Sequence, residues 1–267
     1  MKRIFKYTFI VALVAIVASC STVPLSGRKQ LSLVSDDQIQ EQAAVAYKEF
    51  LNSSKTKVVT GTSNAALVKK VGNRVATAVN QYLAAEGLAN QYNFNWEFNL
   101  VESNDVNAWC MPGGKVAVYT GILPFTANEA GLATVLGHEI AHAIARHSME
   151  QMSNQYAMQV GAQVLGVATS GKSSIVQGLV NNAYGIGGQL ALLKYSRSNE
   201  SEADQLGLIF MAMAGYNPET AVKFWERMAS AKAASSTPEF LSTHPSDVRR
   251  INDIQKLIPT AMKYYKK

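Results

Sequence analysis

Residues 137–147 read Gly-His-Glu-Ile-Ala-His-Ala-Ile-Ala-Arg-His, and no other stretch restricts the fold of this chain so strongly. Upstream, Thr126-Ala127-Asn128-Glu129 matches a capping box, which places the run on a helix. There His138 and His142 share a face, so their imidazoles can bind one ion, and Glu139 lies beside them. In HExxH sites the histidines ligate and the glutamate takes a proton from a zinc-bound water, whose pKa the metal lowers towards ~7. A surface helix with two chance histidines gives the same three-residue match, so the rest of the chain has to decide between them. His147 lies nine positions beyond His138, and at ~100° per residue that puts it on the opposite face, outside the ligand set.

A catalytic zinc needs a third protein ligand and an open position for water. Positions 145–148 read Ala-Arg-His-Ser, so the downstream histidine of metzincin spacing is missing and a carboxylate on another helix is expected. Asn199-Glu200-Ser201-Glu202-Ala203-Asp204 supplies candidates. Glu200 and Asp204 are one turn apart on a shared face, while Glu202 points elsewhere. If Glu200 ligates, Asp204 can accept a hydrogen bond from a ligand histidine and fix its tautomer. Acidic residues are also favoured at any helix start by the macrodipole.

The chain opens MKRIFKYTFIVALVAIVASC, with Lys2, Arg3 and Lys6 ahead of an apolar run from Phe9 to Ala18. This reads as an export leader, shorter in its apolar part than the ~20 residues of a membrane span, with an uncleaved anchor helix or an ordinary signal peptide with a chance cysteine as the alternatives. Val17-Ala18-Ser19-Cys20 also matches a lipobox, so residues 1–19 are expected to be removed and Cys20 to carry lipid. That anchors the chain to a membrane of a bacterial cell envelope, with the outer membrane, facing the periplasm, as the expected place. Without Lys2, Arg3 and Lys6 the formal charge of +6 falls to +3, and no basic run is interleaved with aromatics, so a nucleic-acid partner is not expected. A lipidated Cys20 leaves Cys110 without a partner in the chain, which excludes a disulfide framework.

Residues 20–35 are rich in Ser, Gly and Pro and read as a lipidated tether and entry strand, so the domain is expected to occupy 36–267. Helices are expected after Ser35, from Asn64 to about Glu86, from Arg197 to Ala214, after Asn217-Pro218 and after Thr243-His244-Pro245. Phe94 to Val101 alternates as a half-buried strand, and Pro112-Gly113-Gly114 turns the chain between two short extended runs. From Tyr156 to Leu193, small residues suggest closely packed helices with a break around Ser170 to Ser174, a membrane-facing hairpin being the alternative.

HEIAH, followed by SRSNESEAD and STHPSDVRRI, resembles the CAAX prenyl protease and HtpX-type family of gluzincin metallopeptidases, in an exported lipoprotein branch near the Oma-type enzymes. GRKQL and NAWCMPGGKVAVYTGIL also fit the pattern. The resemblance implies a mainly helical α+β fold, a zincin-like domain with a small β-sheet beside the active-site helix. It implies one Zn2+ on His138, His142 and Glu200, Glu139 as general base, Asp204 orienting the site, His244 stabilising the transition state and Arg250 nearby. It further implies that the strand of Val116, Ala117, Val118 and Tyr119 pairs with an extended polypeptide substrate, with Asn107 and Ala108 lining the cleft. The expected activity is endoproteolysis of misfolded or damaged envelope proteins. The alternative is a non-catalytic or latent metal-binding envelope chaperone or assembly lipoprotein, with Cys110 as one candidate block.

Overall fold

A computed structural model describes residues 20–164, 195–233, 238–245 and 248–265. The leader, the break around Ser170 to Ser174 and the rest of the small-residue stretch beyond Val164 lie outside the described residues. The architecture is α+β and mainly helical. Strands β1 (Cys20–Thr22) and β2 (Lys29–Leu31) form an antiparallel hairpin, so the segment expected as a tether is folded, with Val23 buried in the main core. Helix α1 (Asp36–Asn52) follows where a helix was expected after Ser35, which sits at its N-cap with no side-chain cap bond. Strand β3 (Val58–Val59) leads to α2 (Ser63–Ala85), whose Val68, Val71, Val75 and Val79 are buried at helical spacing, and Gly87 (φ 70°) follows its end.

Strands β4 (Glu97–Val101), β5 (Ala108–Met111) and β6 (Lys115–Tyr119) complete a four-stranded sheet in the order β3-β4-β6-β5. Gly113 and Gly114, both at positive φ, turn β5 into β6. β6 pairs in parallel with β4 and antiparallel with β5, so both of its edges are used. The expectation that Val116–Tyr119 would pair with substrate is therefore corrected: the terminal strand on this side is β5.

The short helix α3 (Leu123–Thr126) precedes α4 (Glu129–Ile144), which carries the histidine motif. Its cap is Asn128, whose side chain accepts the Gly131 N–H at 2.9 Å, and Thr126 belongs to α3. α5 (His147–Val164) is followed, among the described residues, by α6 (Arg197–Met213), α7 (Thr220–Ala233), α8 (Glu239–Thr243) and α9 (Val248–Ala261). α6 begins with a capping box between Ser196 and Asn199. α4 lies between the sheet and α6, and its Leu132, Val135, Leu136 and Ile140 are fully buried.

Two glycines set the distance between α4 and α6. A Cβ built on Gly137 would stand 2.8 Å from the Gly207 carbonyl oxygen, and one on Gly207 would stand 2.9 Å from the His138 nitrogen. The two backbones are in direct contact one residue from the first histidine of the motif. No helix among the described residues is long and apolar enough to cross a membrane.

Candidate active site

The close crossing of α4 and α6 brings residues some sixty positions apart to a common point. His138 and His142 project from α4 with their Nε2 atoms 3.1 Å apart. From α6, Glu200 places Oε1 3.4 Å from His142 Nε2 and Oε2 3.6 Å from His138 Nε2. His244, at the end of α8, puts Nδ1 3.1 Å from His138 Nε2 and 2.9 Å from Glu200 Oε1. One donor atom from each of the four residues lies within 4.8 Å of all the others, and all four residues are buried.

This donor set fits zinc. Imidazole nitrogens and a carboxylate oxygen are its ordinary ligands, and bonds of ~2.0–2.1 Å in a tetrahedron separate neighbouring ligands by ~3.3 Å, close to the spacings observed. Three ring nitrogens and a carboxylate converging in a buried space otherwise carry a heavy desolvation cost. His244, expected beside an open position, stands instead within the donor set itself.

Glu139 is 3% exposed, and burial pushes its carboxyl up to about 7, against the opposing influence of His244. It accepts the backbone N–H of Cys110, so the outer edge of β5 faces the carboxyl. Its Oε1 lies 3.4 Å from His244 Nε2. Burial opposes charge on Glu200, yet His244, His142 and His138 hold its carboxyl well below the usual range. Burial likewise works against a charged His244, but the carboxylates of Glu200 and Glu139 outweigh it and raise its pKa.

Asp204 and Arg250 lie against the donor set. Asp204 Oδ1 is 3.1 Å from His138 Nδ1, and Arg250 donates Nε and Nη2 to the two oxygens of Asp204, each at 2.8 Å. Arg250 Nη1 also reaches Glu200 Oε2 at 3.0 Å, and its guanidinium lies 3.7 Å above the Trp225 ring. Asn107 and Ala108 are buried at the start of β5, where the Asn107 side chain accepts the Ala108 N–H. Cys110 is buried with its thiol on the Met111 carbonyl, and burial raises its pKa well above the ordinary value. It is not among the four residues whose donor atoms converge.

Spacing misplaced His147. α4 stops at Ile144, Arg146 adopts a left-handed φ of 55°, and a new helix starts at His147. The ring therefore turns back, and its Nδ1 lies 2.8 Å from His142 Nδ1. The Tyr195 ring stacks on His142 with centroids 4.1 Å apart, its hydroxyl 2.8 Å from that of Ser148. No local pattern marked Tyr195, whereas Arg28, described below, lies in the GRKQL run.

Comparison with known proteins points the same way. The family model described as "Peptidase family M48" matches residues 65–258. The chain is 33% identical over 240 residues to the mitochondrial metalloendopeptidase OMA1 of Schizosaccharomyces pombe, covering 90% of this chain and 66% of that protein. It is 38% identical over 177 residues to the Saccharomyces cerevisiae protein of the same name, covering 64% and 49%. With the beta-barrel assembly-enhancing protease of Escherichia coli it shares 27% identity over 188 residues, 65% of this chain and 37% of the relative. The chain thus spans less than two thirds of the length of each of these relatives.

Proposed function

The chain belongs to peptidase family M48, and from that premise we propose that it is a zinc-dependent endopeptidase acting on proteins of a bacterial cell envelope. The observation that carries this reading is the buried convergence of His138, His142 and Glu200 beside the Glu139 carboxyl. One zinc per chain, held by those three residues, supplies Lewis acidity that polarises a carbonyl and acidifies water. The protein's own groups do the rest. Glu139 takes a proton from the attacking water and returns it to the leaving amine. His244 Nε2, on the Glu139 side, donates to the developing oxyanion. Asp204 and Arg250 keep His138 and Glu200 in place.

An extended peptide adding beside β5 gains main-chain hydrogen bonds that ignore side-chain identity. Unfolded or damaged envelope proteins suit such a site, because their backbone is accessible. We assign residues 1–19 as a leader and Cys20 as the lipid attachment point, with the outer membrane as the anchor. The lipobox spelling supports this, as does the exposure of Cys20 at the start of β1.

The test pairs zinc content with cleavage of an unfolded protein such as casein, by wild type and Glu139→Gln. Zinc near one per chain in both, with cleavage lost in the variant, is the expected result. Equal cleavage by the two, or no zinc in pure wild type, refutes the peptidase reading. One observation favours a second reading, a latent or non-catalytic envelope protein: His244 supplies a fourth donor, and four-ligand zinc sites are typically structural. Stoichiometric zinc with no cleavage above the Glu139→Gln background would support it.

A further inference from the structure

A line of polar side chains runs from the N-terminal hairpin to the back of His142. Arg28, just before β2, donates Nε to Glu202 Oε2 at 2.7 Å and its Nη atoms to the Glu150 carboxylate at 2.7 and 2.9 Å. The Ser26 hydroxyl donates to the other oxygen of Glu202. Glu202 Oε2 lies 2.9 Å from His147 Nε2, and His147 Nδ1 lies 2.8 Å from His142 Nδ1. His147 is 1% exposed, Glu202 7% and His142 2%, so no part of the line between Glu202 and the donor set is left to solvent.

The proton positions along the line follow from which atoms can accept. An ionised carboxylate holding an arginine accepts only, so the proton between Glu202 and His147 belongs to His147 Nε2. In a neutral imidazole the other nitrogen then carries a lone pair, and His147 Nδ1 accepts. His142 must therefore present Nδ1–H to it, which leaves the lone pair on His142 Nε2, the atom in the donor set. The opposite tautomer of His142 would set two lone pairs against each other at 2.8 Å with no proton between them.

We propose that Glu202 and His147 are positioning residues of the metal centre, holding His142 in the orientation and tautomer that leaves Nε2 free to bind the ion. The proposal rests on the zinc reading above. It makes the site two-sided: Asp204, clamped by Arg250, backs His138 directly, and Glu202, clamped by Arg28, backs His142 through an imidazole. Outer partners of this kind typically change metal affinity ~10–100-fold when removed.

The experiment measures zinc affinity of the full chain by chelator competition, alongside the melting temperature of the zinc-free protein. His147→Leu removes the acceptor, and His147→Asn returns an amide oxygen close to the place of Nδ1. The expected result is a loss of ~10–100-fold for leucine and recovery of most of it by asparagine. A line that served only to fasten the helices would lower the melting temperature of the zinc-free protein and leave zinc affinity alone. Leucine within about twofold of wild type, or leucine and asparagine equally weak, overturns the proposal. Should His147→Leu not fold, Glu202→Gln carries the same test, with a several-fold loss expected and an unchanged affinity overturning it. Wild type that binds zinc while His147→Leu binds it equally well sinks this inference alone, whereas wild type that takes up no zinc sinks the function reading and this inference together.

Discussion

Arg250 is 8% exposed and lies between two buried carboxylates, those of Asp204 and Glu200, which without it would face each other across a low-dielectric gap. Removing one partner of such a cluster leaves charge uncompensated, at a cost of ~3–5 kcal/mol. Arg250→Met should lower the unfolding free energy of the zinc-free protein by about that amount, read from urea titrations. Asp204→Asn should act differently, weakening zinc binding ~10–100-fold in chelator competition, because the group it alters backs His138. Spacing made the pairs legible in the sequence, His138 with His142 and Glu200 with Asp204, because i and i+4 share a helix face. The grouping of the two pairs with Glu139 at one centre came from the HExxH pattern and the family resemblance. His147 was not legible, since its position depends on a left-handed Arg146 that no residue preference announces. Glu202 was missed with it: a carboxylate pointing away from the metal looks idle until the imidazole it holds is known.

At the scale of elements, the crossing of α4 and α6 depends on hydrogen atoms at positions 137 and 207. A methyl group on either must displace backbone, a harder demand than displacing the end of a side chain. Gly207→Ala should cost ~1–3 kcal/mol of overpacking and also widen the gap between His138 and Glu200, so that zinc affinity falls with stability. Parallel chelator and melting measurements check both. At the start of α4, Glu129 is bonded by Lys70 and Tyr216, which lower its pKa from the ordinary 4.5. A lowered folded-state pKa means that its stabilisation is present above the unfolded value and is lost as pH falls through the folded one. Glu129→Gln should therefore melt ~1–3 °C below wild type at neutral pH, as suits an exposed pair, with the gap closing below about pH 4. Strands β4, β5 and β6 were readable from alternation and the Pro-Gly-Gly turn. Their order was not, because the parallel pairing of β4 with β6 is a non-local choice, and it moves the free edge from β6 to β5.

For the whole molecule, the converging donors come from α4, from α6 and from the end of α8, segments separated by up to 106 positions, and an ion held by His138, His142 and Glu200 joins α4 to α6. Whatever binds only the folded state stabilises it by mass action, ~4 kcal/mol at a thousandfold excess over the dissociation constant. Calorimetry with and without a chelator should show a melting temperature raised by zinc on the order of 10 °C, and no shift in a His142→Ala variant. Most of the longer helices and the histidine pair of the motif were visible beforehand because their signals are local. The hairpin of residues 20–31 was not, because what folds it is Arg28 reaching Glu150 and Glu202, more than a hundred residues away. The depth of the donors also sets a clock. His138 and His142 are each 2% exposed and Glu200 6%, so a chelator in solution meets the ion only after the molecule opens. The rate of metal loss should then level off as chelator concentration rises, and the plateau is the opening rate of the fold around its own active site.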